Sequence, residues 1–185
     1  MVLKNFSWPK GFTIVELVVV IILLGILAAT ALPRFMDVDE EAHAAVVRGV
    51  AGSLQTAISL YHAQWIAEGE SGANNEIADW GNLRVNAAGY PYGLIDNSGG
   101  TSDVTTSADC LDVFQNVLQS GAPSISSSAA LAGVVGSTTD FTTVENAPDC
   151  DFFYTAENNQ SGDTVPVLSY GSGTGFLTQA TQVLP

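Results

Sequence analysis

Basic residues are scarce in this chain. Five Lys and Arg stand against nineteen Asp and Glu, for a net charge of −14. Two of the five, Lys4 and Lys10, lie in the first eleven residues; without that segment three basic side chains face nineteen acidic ones, a net −16. Such a surface repels phosphate, which excludes nucleic-acid binding through a basic patch and docking on an anionic membrane surface. Cysteine is nearly absent. Cys110 and Cys150 are the two there are, with no CxxC and no Cys/His cluster to hold zinc. Only two histidines occur, His43 and His62, nineteen residues apart on one expected helix, and they read as exposed helix residues rather than a catalytic pair. No GxSxG, HExxH or phosphate-binding loop is present. An enzyme therefore has little to work with, and neither a cofactor nor a metal is expected.

What the chain does have is one long apolar run. Phe12–Leu32 reads FTIVELVVVIILLGILAATAL, 21 residues with a single charge, Glu16. At about 1.5 Å per residue this spans a bilayer as a helix. Lys4 and Lys10 before it predict a cytoplasmic N-terminus. An acid inside such a run costs roughly 2.5–3.5 kcal/mol at mid-helix, so Glu16 is a functional candidate by default. Gly25 and Pro33 bracket the second half of the run and weaken or kink it.

Beyond Pro33 an amphipathic helix is expected, with an apolar row at Phe35, Val38, Ala42, Val46, Val50, Leu54, Ile58, Tyr61 and Trp65. It ends near Glu68–Gly72. From Phe12 to Ala67 that helix is on the order of 80 Å long, more than a small domain can bury, so its first half lies in a membrane or among other chains. Residues 71–109 read as a loop-rich connection with an aromatic-anchored turn at Gly89–Gly93. A short helix is expected at Leu111–Leu118. Strands are expected at Asp151–Thr155, Thr164–Tyr170 and Phe176–Thr181, with a fourth at Phe141–Val144. The Ser-rich stretch Ser120–Thr139 fits no single pattern. In an exported protein Cys110 and Cys150 read as one disulfide, against the alternative of two buried thiols.

The string Lys10-Gly11-Phe12-Thr13-Ile14-Val15-Glu16-Leu17 resembles the processing site of type IV prepilins, a family of pilins and type II secretion pseudopilins. The resemblance covers roughly residues 4–66. It implies cleavage between Gly11 and Phe12 by prepilin peptidase, N-methylation of Phe12, and a role for Glu16 in assembly. After cleavage Glu16 sits in the first helical turn, where the helix dipole favours an acid, four residues from a new amine. It can pair with the Phe12 amine of a neighbouring subunit. The resemblance also implies loss of helicity around Gly25 and Pro33 in the fibre, where a simple kink is the plainer reading. The departure is Ile14-Val15 where the family often has Leu-Ile. Within the family, Pro33-Arg-Phe-Met-Asp-Val-Asp-Glu-Glu-Ala42, Arg48-Gly-Val and Gly89-Tyr-Pro resemble mannose-sensitive haemagglutinin (MSHA) pilins, which build attachment fibres; a type II secretion pseudopilin is the alternative. The cysteine pair favours the pilin branch by the same resemblance. Asp103, Asp109, Asp112, Asp149 and Asp151 match no calcium-loop spacing.

These readings make the chain an α+β, pilin-like protein in which a long helix packs on a small antiparallel sheet. Its expected segments are a leader at 1–11, a transmembrane and filament-core half-helix at 12–33, an amphipathic half-helix at 34–70 and a globular domain at 71–185. Its expected partners are copies of itself in a helical filament, prepilin peptidase and the inner-membrane assembly machinery. The precursor is expected in the inner membrane and the polymer outside the cell. Two rivals compete. Ala29-Thr30-Ala31 fits a conventional signal-peptide cleavage rule, and a membrane-anchored monomer needs no polymer. The sequon Asn159-Gln160-Ser161 reads as chance. Tyr61, Trp65, Tyr90 and Tyr92 read as packing residues between helix and sheet.

Overall fold

The computed structural model describes residues 11–69, 72, 75–94, 103–157 and 159–185; the expected leader lies outside these apart from Gly11. Two compact units divide the chain, 1–44 and 45–185. Helix α1 runs from Ile14 to Ala67 and is helical through both Gly25 and Pro33. Residues Ile14–Leu32 form a stretch apolar and long enough to cross a membrane, and none of it is buried. A left-handed Gly69, with φ +87°, follows the helix end, a conformation that glycine adopts at no cost.

In the second unit α1 buries Val47, Ala51, Leu54, Ile58 and Tyr61, with Trp65 packed alongside. These steps of 4, 3, 4, 3 and 4 average the helical period of about 3.6 residues. The expected row was right from Leu54 onward and Val50 packs half-buried on the core, but the row was one residue off at Val46, which is 47% exposed while Val47 is 6% exposed; the side chain of Phe35 lies outside the described residues. Each step of four overshoots a full turn by about 40°. Five such steps in succession, from Val38 to Ile58, wrap round the helix instead of following one face.

Two sheets complete the second unit. The first is β1 (Glu76–Ile77), β2 (Leu83–Val85) and β3 (Pro91–Gly93), all antiparallel, in the stretch expected to be loop. The second has five strands in sequence order: β4 (Ile125–Ser128), β5 (Phe141–Asn146), β6 (Asp149–Tyr154), β7 (Thr164–Tyr170) and β8 (Leu177–Val183). All its pairs are antiparallel except β4 with β5. Helix α2 spans Ser107–Leu118, four residues longer at its start than expected. Its cap is Thr106, whose hydroxyl accepts from Asp109 N–H while the buried Asp109 carboxylate accepts from Thr105 and Thr106 N–H at 3.0 and 2.9 Å. Such a reciprocal cap stabilises a helix by about 1 kcal/mol.

The inner strands of the five-stranded sheet are buried on both faces. Neighbouring residues on β6 show this: Phe152 points to the core shared with α1 and α2, while Phe153 joins Val134, Val165, Val167 and Leu184 on the opposite face. Cys110 of α2 and Cys150 of β6 form a disulfide, with Cα atoms 5.5 Å apart. Both are fully buried.

Amide side chains of α1 fasten it to neighbouring strands and loops, and Asn86 ties the β2–β3 turn to the loop before β8. Gln55 donates to Gly175 O at 3.0 Å and accepts from Leu177 N–H at 2.8 Å. Gln64 accepts from the Trp80 indole at 2.7 Å and donates to Asp79 at 3.0 Å. Asn86, itself buried, accepts from Ala88 and Tyr90 N–H and donates to Ser172 O at 2.8 Å. Two buried tyrosines add to these: Tyr61 donates to Leu83 O and Tyr170 to Pro91 O, each at 2.9 Å. Burial pushes both phenols well above their ordinary range, so they stay protonated donors.

Candidate functional site

The N-terminal turn of α1 carries the candidate site. Thr13 stands immediately before the helix and Glu16 closes its first turn. The Thr13 N–H donates to Glu16 Oε2 at 2.9 Å and the Thr13 hydroxyl donates to the same oxygen at 2.8 Å. Glu16 N–H in turn donates to Thr13 Oγ1 at 3.3 Å. This is a capping box, Thr-x-x-Glu, which satisfies helix N–H groups that have no partner within the helix. The sequence reading gave Glu16 a partner in another subunit and passed over Thr13, although the Thr13-Ile-Val-Glu16 spacing is itself the signature of this cap. Glu16 Oε1 has no hydrogen-bond partner among the described residues. Beside it, Phe12, Leu17, Val20 and Ile21 line an apolar notch.

Phe12 is 89% exposed, and every large apolar side chain from Ile14 to Leu27 lies open on the helix surface. Gly25 is not demanded by packing, since a Cβ there would meet nothing within 4 Å. The Thr30 hydroxyl donates back to Leu27 O at 3.0 Å, three residues before Pro33. Such bonds compete with the helical ladder and often bend it. Ala29-Thr30-Ala31 lies within the helix.

The remaining sequence candidates have structural work. His62 is half-buried rather than exposed, which corrects the expectation. Its ring stacks on Tyr90 at 4.4 Å and Trp65 at 5.3 Å, and its Nδ1 lies 2.9 Å from Gly89 O. His43 makes an i,i+4 contact of 3.9 Å with Asp39. Asp112 accepts from Leu94 N–H, Asp149 from Ser172 N–H, and Asp151 from Ser169 and Asn146. Among the described residues no three His, Cys, Asp or Glu side chains converge as a metal site. The amide of Asn159 in the sequon is spent on Ser137 O at 2.6 Å and Thr155 O at 3.2 Å.

Comparison with known proteins agrees with this geometry. Residues 9–32 match the family model for the prokaryotic N-terminal methylation motif. The chain is 42% identical over 55 residues to the type IV narrow pilus major component PilA5 of Thermus thermophilus, covering 30% of this chain and 47% of that one. It is 34% identical over 97 residues to the fimbrial protein EcpC of Eikenella corrodens, covering 52% and 60%.

Its N-terminal segment is similar to that of type IV pilins.

The chain is also 37% identical over 52 residues to type II secretion system core protein G of Pseudomonas aeruginosa, covering 28% and 37%. The match to the PilA5 and EcpC relatives spans about half of their length. No solved structure matches it.

Proposed function

We propose that the chain is the structural subunit of an extracellular type IV pilus-like filament, working by polymerisation rather than catalysis. The observation that carries this reading is Glu16: a carboxylate at the start of an unburied apolar helix, with one oxygen spent on Thr13 and the other free. Prepilin peptidase cuts between Gly11 and Phe12 and the new Phe12 amine is methylated. The amine then lies one turn from Glu16, and the free oxygen takes the amine of a neighbouring subunit. Pairing removes both charges from an apolar core and fixes the stagger of adjacent helices. Lipid is as apolar as the packed helices, so specificity has to come from this pair and from close packing. Gly25, with open space around it, and Pro33 let the helix between them loosen as subunits pack. The inner-membrane assembly machinery supplies the work of extraction.

The precursor sits in the inner membrane with its N-terminus in the cytoplasm, and the domain beyond is exported. The four segments divide near residues 11, 33 and 70. The buried Cys110–Cys150 disulfide fits an oxidising compartment. We favour the MSHA-like branch, and with it surface attachment, on the sequence segments that resemble it. The pseudopilin reading draws on the similarity to core protein G.

The test is mass spectrometry of fibres sheared from cells, with electron microscopy of the same fraction. Chains beginning at methylated Phe12, in filaments, are expected. Chains beginning at Met1 or Leu32, or chains found only as single molecules, would refute the reading.

A further inference from the structure

Charge is unevenly distributed over the second unit. No Asp or Glu occurs in Ala45–Ala67 or in Thr164–Pro185, while every acid of this unit lies between 68 and 163. Exposed apolar side chains follow the same division. Among the described residues of the unit, the large ones exposed are Val46, Leu60 and Ile66 of α1, and Phe176 and Val183 at either end of β8. The two stretches adjoin, because Gln55 holds Gly175 and Leu177 against α1. Arg48, Ser59 and Ile66 share the helix flank of Gln55, at helical steps from it. Arg48 is exposed and has no partner among the described residues, whereas Arg84 is paired with Glu76.

Strand β8 is an unguarded edge. It pairs with β7 over seven residues without a break in register, and nothing pairs with its other side among the described residues. Thr178–Val183 are exposed on both strand faces. Soluble proteins protect such an edge with charge, proline, a bulge or a short strand, and β8 has none of these. In a chain of net −14 this is also where another copy approaches with least repulsion.

We propose that this charge-poor face, the Phe176–Val183 edge with the adjoining flank of α1 from Arg48 to Ile66, is a contact between copies of the chain, in which Arg48 meets a carboxylate of the next copy. The inference rests on the filament reading and adds to it a contact separate from the apolar span. The face carries one cation and no acid, so it does not complement itself: two such faces would set Arg48 against Arg48. Its complement is the acid-bearing surface of residues 68–163. The contact is therefore heterologous, and heterologous contacts that do not close into rings propagate as helical filaments.

The experiment uses the full chain in cells that assemble it. A photo-crosslinkable phenylalanine analogue placed at the exposed Thr181 is expected to give a ladder of covalently joined chains in irradiated fibres; only uncrosslinked chain overturns the proposal. Arg48→Glu and Thr181→Glu are expected to lower sheared fibre about tenfold, the effect of weakening one charge-assisted contact at each junction, with processed chain in the membrane unchanged. Fibres that depend on Glu16 but form normally with both Arg48→Glu and Thr181→Glu remove this contact and leave the filament reading standing. If the unaltered chain makes no fibres, both fall.

Discussion

Replacing Glu16 with glutamine separates the cap that its carboxylate forms with Thr13 from the proposed pairing with a neighbouring subunit. A glutamine oxygen accepts the same bonds from the Thr13 N–H and hydroxyl, 2.9 and 2.8 Å in the present structure, and Gln at this position preserves a capping box. Losing the cap alone costs about 1 kcal/mol, a factor of roughly five in an equilibrium. Losing the charge is another matter. In the proposed filament it would strand the methylated Phe12 amine of the neighbouring subunit in an apolar core, and removing one partner of a buried ion pair costs about 3–5 kcal/mol. That is on the order of a hundredfold or more in association at each junction. Glu16→Gln is therefore expected to be processed and inserted normally and to yield almost no sheared fibre, when shear fractions are compared by immunoblot with total processed chain. Thr13→Val, which keeps the charge and loses the hydroxyl, is expected to assemble at near-normal levels. Fibre from Glu16→Gln equal to that of the unaltered chain would show that capping is the whole role of Glu16.

Three further outcomes test the globular fold. Gly89 adopts φ +85°, and a Cβ there would run into the Trp65 ring and sit 2.6 Å from His62 Nδ1; Gly89→Ala is expected to lose about 2–4 kcal/mol from backbone strain and overpacking together, and an unchanged melting temperature would contradict the packing described. Removing the disulfide by Cys110→Ser with Cys150→Ser is expected to cost about 4 kcal/mol for a bridge across 40 positions, read as a lower denaturant midpoint. Burial raises the Asp112 carboxyl above its ordinary range, against the lowering effect of the Leu94 N–H. The unfolded chain then holds fewer protons than the folded one, so this group lowers stability as pH rises through its titration. Asp112→Asn should accordingly be no more stable than the unaltered chain near pH 3 and more stable at pH 7, and a difference that does not change with pH would refute the assignment.

The parts of this protein that were legible in its sequence are those where one physical demand dominates. A run of 21 residues with one charge, an acid, permits few arrangements, and strands β5 to β8 are long enough to show their β-prone runs. The apolar row of α1 was readable from Leu54 to Trp65. Further back, Val46 and Val47 are both valines, and only the turn angle decides which is buried. Strands β1 to β3 are two or three residues long, too short for any alternation to register. Strand β4 is three serines and an isoleucine, and hydroxyl bonds such as Ser126 to Thr139 at 2.9 Å accompany its pairing with β5, a signal that hydropathy does not carry. The Thr13 cap went unread for the opposite reason: Glu16 already had an explanation, and a second one at the same residue was not sought.

The bonds of Gln55 have a bearing on where the proposed fibre can operate. They join a neutral carboxamide to backbone groups, so they do not titrate between strong acid and strong base, and dissolved ions do not screen them as they screen paired charges. The grip of the strands on α1 is thus expected to be the same in fresh, brackish or acidified water. In those media the acidic exterior, with its dense negative charge, is the part of the subunit whose behaviour changes.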